Sequence, residues 1–175
     1  MNSTAIVLGG TGAVGKQLVT ELSQLQEVTD IILISRRELN LSEVFAQANH
    51  TKLKVKTVDF QQLEQQVAPL IPVNATAFIS LGTTQKRAGS QAAFRQIDYD
   101  LALAFARACK TAGVLRLGVV TAVAAHVKSW SFYARVKGEI ERDIRALALP
   151  CVFFARPSLL LGRPDDGRFA EKAGG

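Results

Sequence analysis

The chain has 175 residues, room for one ordinary domain with a sizeable core. Hydrophobic residues make up 48% and charged ones 21%, which excludes a disordered chain. The balance of 21 Lys+Arg against 15 Asp+Glu, net +6, favours anionic partners. No Lys/Arg run and only one Trp with two Tyr argue against a nucleic-acid surface.

The first element is "TAIVLGG", a β-branched run closed by glycine and read as a buried strand. Its apolar core, Ala5 to Leu8, is too short for a signal peptide or a membrane span, so the expectation is a cytoplasmic protein with no membrane partner. "AVGKQLVTELSQLQ" carries Val14, Leu18, Leu22 and Leu25 at helical spacing. "DIILISRR" is a second buried strand. A short helix is expected around Val44 to Ala48. "KLKVKTVDF" alternates Lys with Leu and Val, as a strand near an edge does. "QQLEQQVAPLI" is a short helix closed by Pro72, and "ATAFISLGTT" a fourth strand with its loop. The segment from Ala92 to Gly113 predicts one long helix with a glycine C-cap. "LRLGVVTAVAA" is the fifth strand, "FYARVKGEIERDI" a helix, and "PCVFFARPSLLLG" the sixth strand and its exit. The tail "DDGRFAEKAGG" reads as the start of a helix that stops short. Cys109 and Cys151 lie in apolar stretches and read as small core residues of a reducing compartment. No CxxC pair or Cys/His cluster points to a metal.

Near-continuous apolar strands alternating with helices predict an α/β fold: a Rossmann-type, doubly wound parallel sheet of about six strands. One domain spans 1–175, with a minimal substrate-side segment from about 157.

"LGGTGAVGKQL" sets Gly9, Gly12 and Gly15 in a GxxGxxG pattern between a strand and a helix. Gly9 suits the tight turn, Gly12 a close approach to a pyrophosphate, and Gly15 close helix–strand packing. Thr11, Ala13 and Val14 complete the turn, and the helix N-terminus offers N–H groups and a positive dipole end to phosphates. The second strand ends "LISRRE", with Ser35, Arg36 and Arg37 where an NAD site carries an acid. An arginine there suits a 2′-phosphate, so NADP(H) is preferred over NAD(H). Asp59 and Phe60, in "VDF", end the third strand where the adenine would lie; an exposed strand-end carboxylate is the other reading of Asp59.

The helix from Phe132 to Ile144 carries a lysine on its apolar stripe. Lys137 follows Tyr133 by four residues, so the two share a face at the sheet edge that holds the glycine loop. Hydride transfer to a carbonyl needs a proton donor. A free Tyr has a pKa of about 10, and a nearby ammonium favours its phenolate. Tyr133 is then the acid/base and Lys137 its tuner, within reach of the nicotinamide ribose. A lysine snorkelling from a helix edge is the structural alternative.

"LISRR", "VDF", "LGTTQKRAG", "IDYDLALAFARA", "YARVKGEIE" and "RPSLLLG" together resemble the atypical short-chain dehydrogenase/reductases, and more narrowly the Tat-interacting-protein-like group. The resemblance implies NADP(H) held by Gly9, Gly12, Gly15 and Arg36, with Leu81, Gly82 and Thr83 along the cofactor and Asp98 on its side of the next helix. It also implies an oxidoreductase acting on a carbonyl or hydroxyl of an unidentified small molecule. The family's third catalytic hydroxyl follows strand five within a Ser-Ser-like pair; here "VVTAVAAH" places Thr121 first and Ala122 second. Thr121 reads either as the substitute or as a plain strand-end residue, and His126, a few residues on, carries little weight. The loss at Ala122 and the short C-terminus keep a second reading open, an NADP(H)-binding regulatory protein acting through a protein partner. A homodimer is also open. Arg156 and Arg163 near the strand-six exit read equally as structural or anion-contacting.

Overall fold

Strands apolar on both faces need cover on both sides, and a parallel sheet with crossover helices supplies it. A computed structural model describes residues 3–157. In chain order they form β1 (Ser3–Leu8), α1 (Ala13–Gln24), β2 (Val28–Ser35), α2 (Leu41–Val44), β3 (Leu53–Thr57), α3 (Leu63–Val67), β4 (Thr76–Ile79), α4 (Gln85–Ala88) and α5 (Gln91–Arg95). A π-helical turn (Gln96–Asp100), α6 (Leu101–Thr111), β5 (Arg116–Val120), α7 (Phe132–Ala146) and β6 (Cys151–Ala155) follow. The sheet is six-stranded and parallel throughout, in the order β3-β2-β1-β4-β5-β6. The predicted doubly wound sheet is therefore the observed fold. The tail from 158 onward, with Arg163 and the predicted final helix, lies outside the described residues.

The period of two in β1 separates the two halves of the core. Ala5 and Val7 pack with Val19, Leu22, Ile31, Leu33 and Phe45 on the α1 face. Ile6 and Leu8 pack with residues of α3, α6 and α7 on the other. Edge strand β3 places Lys54 against Asp30, 2.5 Å away, in keeping with its alternating lysines. On β6 the cover is incomplete among the described residues: Phe153 keeps 66% of its surface. Cys151, expected in the core, is exposed because it opens this strand; Cys109, on α6, is buried and its thiol is pushed up to about 12 by burial.

Two helices differ from the sequence expectation. The one expected around Val44 to Ala48 runs from Leu41 to Val44, because Phe45 leaves helical geometry and buries its ring in the core. The long helix expected from Ala92 to Gly113 is divided by the π-helical turn, whose hydrogen bonds span one residue more than those of an α-helix and which carries Asp98 to a buried position.

Strand order fixes where a ligand can lie. β1 lies between β2, which follows it in the chain, and β4, which is reached from β3 by a crossover to the other side, and this reversal leaves a crevice beyond their carboxyl ends. Helix α7 is held beside that crevice. Glu139 accepts from Arg95 (2.5 Å), and Asp143 accepts from the Tyr99 hydroxyl (2.5 Å). Gly138 lets α7 rest directly on the loop after β5. A Cβ there would meet the His126 carbonyl carbon at 2.3 Å and the Val127 nitrogen at 2.4 Å. The same contact includes a hydrogen bond from His126 N–H to the Ala134 carbonyl, 3.1 Å. Both obstacles are backbone, so they yield only if helix and loop separate. Gly138→Ala should lower stability by about 2 kcal/mol and Tm by roughly 5 °C in thermal unfolding. An unchanged Tm would mean that α7 does not sit this close to the loop.

Candidate functional site

The turn after β1 starts at Gly9, whose φ of +86° is the left-handed region that favours glycine. A Cβ on Gly9 would stand 2.4 Å from the Leu81 nitrogen, so the exits of β1 and β4 touch at this glycine. A Cβ on Gly15 would stand 2.2 Å from the Gly9 carbonyl oxygen, so α1 packs onto the turn itself. Gly12 is different. The nearest protein atom to its Cβ position is 3.5 Å away, an ordinary contact. Gly12 is the N-cap of α1 and no side chain caps the helix there. Thr11 and Ala13 are exposed on the same turn and Val14 is half-buried.

Beyond the turn lies a cavity of about 190 Å³ lined by Gly9, Gly10, Thr11, Arg36, Phe60 and Leu81, among others. Ser35 and Arg37 also border it. The Ser35 hydroxyl donates to the Arg37 carbonyl (2.7 Å) and accepts from the Arg37 N–H (3.2 Å), which turns the chain at the end of β2. Arg36 and Arg37 are left exposed, and the Arg36 guanidinium stands 5.8 Å from the centre of the Phe60 ring. Asp59 does not line the cavity. Its carboxylate accepts from the Gln61 N–H (2.9 Å) and opens the short 3-10 turn that presents Phe60.

The other end of the crevice gathers the loop after β4, the π-helical turn and α7. Lys137 is 5% exposed and Asp98 2% exposed. Lys137 Nζ lies 2.6 Å from Asp98 Oδ1, and the Thr83 N–H donates to Asp98 Oδ2 at 2.9 Å. Gly82 abuts this pair: a Cβ on it would be 3.4 Å from Asp98 Oδ1 and 3.8 Å from Lys137 Nζ. Tyr133 sits one turn before Lys137, half-buried, its ring 5.7 Å from that of Phe94. The Ser131 hydroxyl caps the helix by accepting from the Ala134 N–H.

Thr121 leaves β5 with its hydroxyl turned toward α7. It donates to Glu141 Oε1 at 2.7 Å. Arg156, just past β6, gives two further hydrogen bonds to the same carboxylate, and Arg145 lies 3.3 Å from it. Burial pushes the Glu141 carboxyl up, but the Arg156 and Thr121 hydrogen bonds and the two guanidinium charges outweigh it and hold it below the ordinary 4.5. Neighbouring Ala122 is buried. His126 is exposed and its Nδ1 accepts from the Lys128 N–H.

The predicted residues thus fall into three groups along one sheet edge: the glycine turn with Ser35, Arg36, Arg37 and Phe60; the Thr83, Asp98 and Lys137 cluster with Tyr133 a turn away; and Thr121 with Glu141. Sequence reading passed over Glu141 and Gly138. Glu141 follows Lys137 by four residues on the same apolar stripe, so the test that flagged the lysine also flags the glutamate. Among the described residues no group of His, Cys, Asp and Glu could hold a metal ion, and no helix is long and apolar enough to cross a membrane.

Comparison with known proteins places these residues in context. The family described as HIM1 matches residues 28–173. The protein fmp52 of Emericella nidulans, named as mitochondrial, is 33% identical over 165 residues, which are 94% of this chain and 70% of that protein. The rat (Rattus norvegicus) protein HTATIP2 is 29% identical over 170 residues, 97% of this chain and 68% of its own. The solved structure of MoeE5 in complex with UDP-glucose and NAD superposes with a TM-score of 0.66 at 19% identity, covering 88% of this chain. That match shows the fold, and this chain spans only 54% of that structure's length. The fungal names correct one expectation. Several relatives are named mitochondrial, which points away from the cytoplasm. Lack of a long apolar N-terminal run bears on secretion and membrane insertion, not on mitochondrial addresses, which are amphipathic and Arg-rich.

The Glu141 cluster gives a pH test. Its carboxyl is held below 4.5 in the folded chain, so its contribution is whole above pH 4.5 and is lost as pH falls below that value. Glu141→Gln should cost about 2 kcal/mol at pH 7, less than for a fully buried pair because both arginines stay partly in water. In urea unfolding at a series of pH values, the gap between wild type and variant should narrow below pH 4.5. A gap that stays constant down to pH 3 would contradict the assignment.

Proposed function

This chain belongs to the HIM1 family, in keeping with the atypical short-chain dehydrogenase/reductase pattern of its motifs, and on that premise we propose that it is an NADP(H)-dependent oxidoreductase acting on a carbonyl or hydroxyl of a small molecule. The observation that carries the reading is a buried ammonium, Lys137, one helical turn after a half-buried tyrosine, at the far end of a crevice that starts in the glycine turn.

The residues fit a dinucleotide. Gly9 and Gly15 are glycines because protein atoms leave no room for a Cβ, whereas nothing in the protein crowds Gly12. A side chain at Gly12 would instead occupy space before the uncapped N-terminus of α1, where a pyrophosphate gains N–H groups and the positive end of the helix dipole. Arg36 and Phe60 bracket the adenosine end: the ring offers an aromatic face and the guanidinium a partner for a 2′-phosphate. Leu81 lines the cavity between the two ends. When bound, the cofactor supplies the hydride. Lys137 would hold the ribose end of that cofactor, and Tyr133, one turn before it, would give or take the proton at its phenolic oxygen.

A second reading, an NADP(H)-binding sensor that acts through a protein partner, is favoured by one observation. The Thr121 hydroxyl, which would polarise a substrate carbonyl, donates to Glu141. The next residue is Ala122, which has no hydroxyl to take its place.

Fluorescence titration separates the cofactors. NADPH should bind at least tenfold more tightly than NADH, and Arg36→Ala should lose about tenfold for NADPH while changing NADH by less than about twofold. Equal affinity for both would remove the 2′-phosphate role from Arg36. For the chemistry, a panel of aldehydes and ketones is assayed with NADPH. Tyr133→Phe should cut kcat by about 10²–10⁴ with little change in NADPH affinity. Turnover unaffected by the change rules out Tyr133 as the acid, and a wild type that binds NADPH yet reduces nothing in the panel favours the sensor.

A further inference from the structure

Positive charge is not spread evenly along the chain. Residues 65–138 carry nine Lys+Arg against two Asp+Glu, and the remaining positions carry 12 against 13. The net charge of the whole protein therefore resides in the segment that builds the β4 and β5 side of the crevice. Within it, Arg107, Lys110 and Arg116 belong to the second half of α6 and the start of β5, away from the carboxyl edge. The other cations lie on the segments that meet around the first turn of α7. Phe94 of α5 sets its ring 5.8 Å from that of Phe132 and 5.7 Å from that of Tyr133. From the other side the loop after β5 reaches the same turn, where the Arg135 guanidinium donates to the Ser129 carbonyl at 3.2 Å. The two walls at Tyr133, residues 80–97 and 121–138, hold no Asp or Glu. The two acids between them are already committed: Asp98 to Lys137 at 2.6 Å, and Asp100, together with Glu139, to Arg95. Lys86, Arg87 and Lys128 are left exposed, and among the described residues none of the three has an ion-pair partner. Exposure alone is ordinary for such side chains; the missing counter-charge is the signal. Lys86 and Arg87 are also fixed in place. The Thr84 hydroxyl accepts from the Arg87 N–H at 3.2 Å to start α4, and Gly89, with φ of +81°, ends it. Lys86 follows Thr83 by three residues, a span of at most about 11 Å, and the Thr83 N–H donates to Asp98 beside Lys137.

We infer that the small molecule turned over at Tyr133 carries an anionic group, a carboxylate or a phosphate, and that Lys86 and Arg87 of α4 hold that group, with Lys128 on the opposite wall adding to the attraction. This names the substrate class of the oxidoreductase proposed above and rests on that reading. An anionic carbonyl compound gains in two ways. A positive field that no carboxylate cancels draws it to the mouth, and the Arg87 fork binds two of its oxygens at once. A neutral carbonyl compound gains neither, so the dibasic pair sets specificity rather than rate.

Matched pairs of aldehydes that differ in one charge test this. The pairs are succinic semialdehyde with its methyl ester, 4-carboxybenzaldehyde with methyl 4-formylbenzoate, and glyceraldehyde 3-phosphate with glyceraldehyde. The full chain is loaded with NADP⁺, which cannot reduce an aldehyde, and each compound is titrated by calorimetry; kcat/KM is then measured with NADPH at low and high salt. In at least one pair the anion should bind about tenfold more tightly than its neutral partner. Its kcat/KM should lead by a similar factor that shrinks as salt rises. The double variant Lys86→Gln, Arg87→Gln should bring that ratio to within about twofold of unity and change NADPH affinity by less than about twofold. Arg107→Gln with Arg116→Gln removes the same charge away from the edge and should leave the ratio as in wild type. The inference is overturned if no pair favours the anion, if the ratio survives in the α4 variant, or if the distant variant lowers it equally. It is also overturned if the α4 variant weakens NADPH as much as the anion, which would give these cations to the cofactor. A wild type that binds no NADPH sinks the dinucleotide reading, and one that binds the anion but transfers no hydride sinks the oxidoreductase reading; the inference falls with either. A wild type that reduces neutral and anionic partners equally well overturns the inference alone.

Discussion

Helix α7 buries a cation and an anion one turn apart, and much of the site follows from how those charges are satisfied. Lys137 and Glu141 lie on the stripe that also carries Ile140 and Ile144, so each is drawn into the core by the helix that bears it. A buried charge without a partner is strongly destabilising. The partners come from three other elements: Asp98 from the π-helical turn, Thr121 from the end of β5, and Arg156 from the end of β6. Rotating or sliding α7 by one residue would break both sets at once. The helix is thus held in one register against the carboxyl edge of the sheet, and Tyr133 is placed along with it. Gly138, between the two charges, lets the helix come close enough for these bonds to form.

A different constraint shapes the opposite end of the crevice. There the backbone does the placing, through the close approach of Gly9 to both Leu81 and Gly15. Because β1 and β4 exit side by side, a shift in the loop after β4 would act on both ends: on the glycine turn through Leu81, and on the ion pair through Thr83. Two residues apart on one short loop, these contacts couple the glycine-turn end of the crevice to its charged end. Coupling of this kind suits a ligand that spans the whole edge of the sheet, and a dinucleotide has the length to do so.

The sheet and its glycine turn were legible because their signals are local. Apolar runs, glycine spacing and the alternating lysines of β3 each report a backbone requirement of their own segment. The meeting of Arg36 and Phe60 was legible for the same reason: both stand at predicted strand ends and line one cavity. What was hidden depends on contacts between distant segments. Helical periodicity shows that Lys137 is out of place but cannot say that Asp98, 39 positions earlier, compensates it. The break at Gln96–Asp100 was invisible for a related reason. Its sequence is compatible with a continuous helix, and tertiary packing selects the wider turn. Asp59 and Ser35 were placed correctly at strand ends, yet their side chains bond the backbone of their own turns.

Thr121 marks where the reasoning from motif to chemistry is under most tension. Its position after β5 suits a hydroxyl aimed at substrate, but a buried carboxylate beside it is a stronger acceptor than a neutral carbonyl. Turning that hydroxyl toward a substrate would remove one of the hydrogen bonds that hold Glu141 ionised, with Arg156 left to satisfy most of the carboxylate. The two demands on Thr121 therefore oppose one another. Lys137 faces no such conflict, because an ammonium can keep Asp98 and still donate elsewhere. The physical chemistry of the edge is accordingly more complete for holding a cofactor than for polarising a substrate. A catalytic chain of this design must either reorient Thr121 at that cost or take the polarising group from another residue.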